Sequence, residues 1–206
     1  MYNTPMLVVG LTGNYGMGKS TVLGIFRELG AVTLKADEIV ASLLCERTVQ
    51  DRLREMLGED IFSDGALDKA KIAELIFRSK ERKEAVEGLL HPLVFKKIDS
   101  FLEDLQRRGG GERMVVIEIP LLFESGYAGK IGQTITVVAG EEIALRRLGK
   151  TGVSRESGMA RMKTQMPISE KVAKSDFTIE NSGTPEETRA QVVALYNRLL
   201  EEVRAS

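Results

Sequence analysis

The sequence predicts an α/β fold, a five-stranded parallel sheet flanked by helices, with a helical insertion and a basic lid. Three observations carry this. Short apolar runs recur along the chain with helical stretches between them. The first run enters a glycine-rich turn that opens directly into a helix. Residues 37–108 show helical patterning and no convincing strand, as an insertion would.

Leu7-Val8-Val9-Gly10-Leu11-Thr12 is the first run, of the kind buried on both faces of a parallel sheet. A helix is expected over 20–29, with Val22, Leu23, Phe26 and Leu29 on one side and Gly30 stopping it. Val32-Thr33-Leu34 is the second strand. Strand, loop, helix and strand in that order imply a parallel pair joined by a right-handed crossover. Helical stretches then run over 37–44, 48–57, 68–77, 80–90 and 92–106. Gly58, the turn Ser63-Asp64-Gly65 and His91-Pro92 punctuate them. This block is a plausible substrate-binding region. Gly109-Gly110-Gly111 is a loop, Met114-Val115-Val116-Ile117 a third strand ending at Glu118, and Thr134-Ile135-Thr136-Val137-Val138 a fourth. Residues 141–166 are charged and predict two helices around Gly152. Phe177-Thr178-Ile179 is a short fifth strand. Thr184-Pro185-Glu186-Glu187 opens the last helix, with Thr as N-cap, Pro at the first position and Glu three residues after the cap. The expected organisation is one domain over 1–206. Its core covers about 1–36, 112–140 and 175–206, its helical region about 37–111, and its lid about 141–174.

Composition narrows the function. The 206 residues carry 29 Lys+Arg against 30 Asp+Glu, a net charge of -1. That balance excludes a strongly cationic nucleic-acid binder or a polybasic membrane protein, while leaving room for a local basic patch. Hydrophobic residues at 43% and charged residues at 29% argue against disorder. One Cys and one His exclude an internal disulfide and a conventional structural zinc site. No apolar run is long enough to cross a bilayer. The first eleven residues lack a basic leader and suit a strand rather than a signal peptide. A soluble protein of a reducing compartment, the cytoplasm, is the expectation.

Gly13-Asn14-Tyr15-Gly16-Met17-Gly18-Lys19-Ser20 matches G-x-x-x-x-G-K-[ST] at every fixed position. A chance match in a chain this long is roughly one in a hundred on average residue usage, and the strand-to-helix context lowers that further. Backbone N–H groups of such a loop and of the helix N-terminus face phosphates. Glycines let the backbone turn and approach closely. Lys19 would reach the β- and γ-phosphates, and Ser20 would give its hydroxyl to Mg²⁺. This places the chain among P-loop NTPases.

Four further features stand beside the loop, each with an ordinary structural alternative. Glu118, closing an apolar strand, sits where P-loop proteins keep a Mg²⁺-organising carboxylate, or is a plain strand-end charge. Asp37 follows the second strand at the end where open sheets bind ligands. It could orient an acceptor hydroxyl or simply cap the next helix. His91 could contact a ligand or be structural. Arg146, Arg147, Lys150, Arg155, Arg161 and Lys163 could form a lid that closes over transferring phosphate, or a solvated face.

With these placed, the chain resembles the dephospho-CoA kinase family over residues 7–200. The resemblance rests on Gly13 to Ser20, Lys35-Ala36-Asp37, His91-Pro92, Glu118-Ile119-Pro120-Leu121-Leu122-Phe123-Glu124, Arg146-Arg147, Gln165 and Asn181-Ser182-Gly183. It implies a P-loop kinase with a lid that moves the ATP γ-phosphoryl group, with Mg²⁺, to the ribose 3'-hydroxyl of dephospho-CoA. By the same resemblance the stretch from Gly13 to Ser20, with Thr21 and Arg147, binds ATP. Lys19, Arg147, Asp37 and Glu118 serve catalysis, Ser20 meets the metal, and Asp37, His91, Pro120, Leu121 and Arg161 serve the acceptor. A monomer or weak homo-oligomer, with no nucleic-acid or membrane partner, is implied. Several positions depart from the family pattern. Lys35 stands for the first Asp of an Asp-Ala-Asp, Glu118 for an Asp and Lys150 for a second lid arginine. Asn14-Tyr15 stands where Gly-Ile is usual. A lysine at position 35 cannot accept a proton at neutral pH unless its pKa is heavily depressed, and a lysine at 150 lacks the bidentate fork. Two other readings therefore stand beside an active kinase: a related kinase with another acceptor, and a non-catalytic nucleotide-binding relative.

Overall fold

In the computed structural model, residues 6–63, 65–109 and 113–205 are described. Asp64 of the predicted turn, Gly110 and Gly111 of the predicted loop, and residues 1–5 lie outside them. In chain order the elements are β1 (Met6–Thr12), α1 (Lys19–Glu28), β2 (Val32–Lys35), α2 (Ala36–Leu43) and α3 (Arg47–Leu57). Next come β3 (Phe62–Ser63), β4 (Ala66–Leu67), α4 (Lys69–Arg78), α5 (Lys80–Arg107) and β5 (Arg113–Glu118). The chain ends with β6 (Gln133–Val138), α6 (Glu141–Gly149), α7 (Arg155–Lys163), α8 (Ile168–Lys174), β7 (Phe177–Glu180) and α9 (Pro185–Ala205). They form two compact units, Met1–Lys35 with Arg108–Ser206, and Ala36–Arg107.

The larger unit is built on a five-stranded sheet of order β2-β5-β1-β6-β7. All four pairings are parallel. The apolar runs of β1, β5 and β6 are buried on both faces, as continuous hydrophobic strands require, while β2 and β7 at the sheet edges are only partly buried. Val9 and Leu11 of β1, Val116 of β5, and Ile135 and Val137 of β6 are fully buried against Val22 and Phe26 of α1 and Val192 and Leu199 of α9. The β1–α1–β2 crossover runs to one side of β1, and β6 lies on the other. A crevice beyond the carboxyl end of β1, where the strand order switches, follows from this topology. In the register, Leu11 of β1 and Lys35 of β2 both partner Glu118 of β5.

The last helix opens with the predicted capping box. The Glu187 N–H donates to Thr184 Oγ1 at 3.2 Å, and the Thr184 N–H donates to Glu187 Oε2 at 2.8 Å.

The smaller unit holds its own core of Val49, Leu53, Leu57, Ile61, Ile72 and Val86. Three expectations are corrected here. Helix α5 runs unbroken through Pro92 instead of stopping at His91. A proline ring crowds the carbonyl of the residue four places back, and here that residue is Gly88. Val86, Val94 and Ile98 are buried on either side of the proline and hold the helix across it. The region also contains strands. β3 and β4 form a hairpin of two residues each, Phe62 opposite Leu67 and Ser63 opposite Ala66, too short for alternation to announce it. Helix α2 begins at Ala36, so Asp37 is not its cap but an acid in its first turn, where it complements the helix dipole.

The charged region after β6 forms α6 and α7 as expected. A third helix, α8, follows that the spacing does not reveal. Among the described residues, no helix is long and apolar enough to cross a membrane.

Candidate active site

The loop between β1 and α1 takes its shape from its glycines. Gly13 and Gly18 have φ of 142° and 85°. A Cβ at Gly13 would run into the carbonyl oxygen of Val137, and one at Gly18 into Nδ2 of Asn181. Gly18 is also the N-cap of α1 and offers no side chain to the first turn. The N–H groups of that turn are thus free of a side-chain cap, at the positive end of the helix dipole. Gly18→Ala adds both backbone strain and a collision with Asn181. It is expected to destabilise the protein by about 1–3 kcal/mol, read as a lowered midpoint of thermal unfolding; an unchanged midpoint would contradict the tight fit.

Lys19 begins α1 with its side chain drawn into the loop. It is 8% exposed, and its Nζ donates to the Asn14 carbonyl at 3.2 Å. The Met17 N–H donates to the same carbonyl at 3.3 Å. The loop therefore curls around the lysine amine, which is the arrangement that presents one point charge to a chain of phosphates. Ser20, the next residue, is exposed. Its hydroxyl donates to Glu118 Oε2 at 3.2 Å, and Oε1 lies at 3.4 Å. Glu118 is 7% exposed at the end of β5. The longer carboxylate still reaches the loop serine. Lys35 is half-buried and in register with Glu118. Partnered residues on adjacent strands point to the same face about 4.8 Å apart, so a lysine stem stands beside this carboxylate. Thr21 is exposed in the first turn of α1.

Arg147, in the last turn of α6, donates from Nη2 to the Asn181 carbonyl at 2.7 Å. Its Nη1 is buried without a hydrogen-bond partner. A Cβ placed on Gly18 would lie 3.4 Å from that nitrogen, so the cation abuts the N-terminus of α1. An orphaned guanidinium N–H beside a helix N-terminus is suited to an anion. Asn181 is itself fixed. Its N–H donates to the Val138 carbonyl at 2.8 Å, its Nδ2 to the Met17 carbonyl at 2.8 Å, and it accepts from Thr188 Oγ1 at 3.0 Å. One buried asparagine thereby ties the back of the loop to β6, α9 and Arg147 of α6.

The front of the loop is tied to the segment after α7. The Tyr15 N–H donates to Gln165 Oε1 at 2.8 Å, and Asn14 Nδ2 donates to the Met166 carbonyl at 3.2 Å. Arg161 lies over the Tyr15 ring, 4.2 Å from its centroid. The Met166 N–H donates to Glu124 Oε1 at 3.0 Å. That oxygen also meets Nζ of Lys171 at 2.9 Å, and Lys171 donates to the Pro120 carbonyl at 2.7 Å. Burial pulls the Lys171 ammonium below its ordinary range, and the Glu124 carboxylate opposes that pull. Lys171 is completely buried. Nothing in the sequence pattern singles it out except its place three residues after Ile168, on the side of α8 where an apolar residue is expected.

The larger unit carries the loop residues, Thr21, Glu118, Pro120, Leu121, Arg147 and Arg161; Glu118, Arg147 and Arg161 meet or adjoin the loop, and the Pro120 carbonyl accepts from Thr12 just before it. Lys150 is exposed as the C-cap of α6. Asp37 and His91 belong to the smaller unit. There Asp37 is exposed on α2, and His91 is half-buried with its ring stacked on Phe95 at 5.9 Å.

The sequence and the fold have counterparts among known proteins. Residues 7–187 match the family model for dephospho-CoA kinase. The dephospho-CoA kinase of Geobacillus kaustophilus is 37% identical over 194 residues, spanning 92% of this chain and 94% of that one. The crystal structure of TT1252 from Thermus thermophilus matches with a TM-score of 0.79 at 34% identity, covering 94% of this chain and 97% of that one. The dephospho-CoA kinase of Campylobacter jejuni matches with a TM-score of 0.70 at 26% identity, covering 96% and 99%.

Proposed function

This chain belongs to the dephospho-CoA kinase family, and we propose that it transfers the γ-phosphoryl group of ATP to the ribose 3'-hydroxyl of dephospho-CoA, yielding CoA and ADP. It is an ATP-dependent kinase acting on a hydroxyl group. The observation that supports the reading most is the loop itself. A helix N-terminus without a side-chain cap, a lysine amine enclosed by the loop and an orphaned arginine nitrogen converge at the carboxyl end of β1.

In the proposed reaction the acceptor oxygen attacks the γ-phosphorus, and the bond from that phosphorus to the β–γ bridging oxygen breaks. ADP leaves with the bond electrons, and the hydroxyl proton passes to a carboxylate. The loop N–H groups and Lys19 hold the β- and γ-phosphates, and Arg147 offsets charge on the transferring group. We assign the carboxylate role to Asp37, exposed in the first turn of α2. Glu118 is engaged with Ser20, and Lys35 carries no carboxylate. Pro120, Leu121, His91 and Arg161 are the proposed acceptor contacts. Ser20 Oγ and the Glu118 carboxylate, both oxygen donors, fit Mg²⁺ brought in with the nucleotide; bound there it would neutralise phosphate charge. Among the described residues, no three His, Cys, Asp or Glu side chains gather as a cation site. We place the activity in the cytoplasm, in a monomer or weak homo-oligomer.

The test compares ADP release with ATP, Mg²⁺ and dephospho-CoA for the parent and for Lys35→Asp. Turnover by the parent that depends on dephospho-CoA is expected, with the variant within about tenfold of it, because positioning and electrostatics carry most of phosphoryl transfer. A silent parent activated by Lys35→Asp would establish the non-catalytic reading. Release stimulated only by another hydroxyl compound would establish a different acceptor.

A further inference from the structure

The hydrogen bonds around the loop close into a ring. Thr12, the residue before Gly13, donates from Oγ1 to the Pro120 carbonyl at 3.1 Å. Lys171 donates to that same carbonyl and pairs with Glu124. Glu124 accepts from the Met166 N–H. Gln165 and Met166 then accept from Tyr15 and Asn14. The circuit starts at the residue entering the loop and returns to the front of the loop itself. Each non-covalent link is a single hydrogen bond or ion pair, and Lys171 is the side chain that spans the Pro120 carbonyl and the Glu124 carboxylate.

A completely buried ammonium is a poor device for stability alone. Desolvation opposes it, and an apolar side chain of similar volume commonly serves a core as well or better. What an apolar chain cannot do is fix two acceptors, one a main-chain carbonyl and one a carboxylate, at a set separation. Lys171 does this for two points 51 and 47 residues away in sequence.

We propose that Lys171 is a positioning residue for the phosphate-binding loop: through Glu124 it pins Gln165 and Met166, which hold Asn14 and Tyr15 in the curve that receives the nucleotide. Lys171 is completely buried and acts through the residues it holds. It acts on affinity for the triphosphate by fixing the loop before the nucleotide arrives, which lowers the ordering required on binding. The inference rests on ATP being the ligand of this loop.

The test is binding of the fluorescent analogue mant-ATP with Mg²⁺, alongside steady-state kinetics, for the parent, Lys171→Met, Gln165→Ala and the double variant. Lys171→Met is expected to raise the Kd for mant-ATP and the KM for ATP about tenfold, with kcat changed less than about threefold. Gln165→Ala should weaken binding in the same way. The double variant should be no weaker than the weaker single variant, because both changes cut one circuit. Losses that multiply in the double variant, or a folded Lys171→Met that binds like the parent, would overturn the proposal. Should Lys171→Met fail to fold, Glu124→Gln takes its place in the same cycle with the same criteria. A parent that binds no mant-ATP would overturn the nucleotide reading itself, an outcome distinct from equal binding by parent and variant.

Discussion

Lys19→Met is expected to lower kcat by about a thousandfold, the scale on which removal of one preorganised charged donor acts at a developing negative charge. The amine is almost fully withdrawn from solvent and held by the Asn14 carbonyl in the centre of the loop. Loss of its charge removes electrostatic stabilisation that strengthens as charge shifts toward the β–γ bridging oxygen, so the effect falls on kcat as well as on nucleotide affinity. Methionine keeps most of the stem volume, and the fold should persist because the packed faces of α1 are Val22, Leu23 and Phe26. Single-turnover kinetics with saturating ATP reads the effect. A variant within tenfold of the parent would remove the loop lysine from the mechanism.

With Asp37 in the proposed role of proton acceptor, Asp37→Asn is expected to give the second large loss of activity. Replacing a general base typically slows transfer by about 10²–10⁴-fold. The side chain is exposed, and the amide is nearly isosteric with the carboxylate. The folding consequence is limited to a lost first-turn charge on α2, about 0.3–1 kcal/mol. The loss should appear in kcat, with the KM for ATP unchanged. If kcat falls less than tenfold, the proton goes elsewhere and Asp37 is an ordinary helix-start charge.

Much of this protein is legible in its sequence, for reasons that differ between elements. The strands β1, β5 and β6 stand out because burial on both faces demands uninterrupted apolar runs. The start of α9 stands out because the capping box is a local code. The loop stands out because its glycines, lysine and serine meet steric and electrostatic demands that other residues do not. What stays hidden depends on long-range packing. Whether Pro92 ends a helix is decided by burial of Val86, Val94 and Ile98 on the helix carrying it. The two-residue strands β3 and β4 are too short to carry a period. The pairing of Lys35 with Glu118 is a register, visible only once β2 and β5 lie side by side. Lys171 resembles any other lysine in a basic stretch until its partners, Pro120 and Glu124, are brought to it. The site is accordingly most legible where the chemistry is local, at residues 13–20, and least where several elements meet.

In the proposed reaction this loop delivers a phosphoryl group to the ribose 3'-hydroxyl of dephospho-CoA. The most direct measurement is mass spectrometry of the products formed by the parent protein from dephospho-CoA, Mg²⁺ and ATP labelled with ¹⁸O in the γ-phosphoryl group. CoA carrying the label on its 3'-phosphate, formed in step with ADP, is the expected result. Label released only as inorganic phosphate, or none transferred from ATP the protein demonstrably binds, would contradict it.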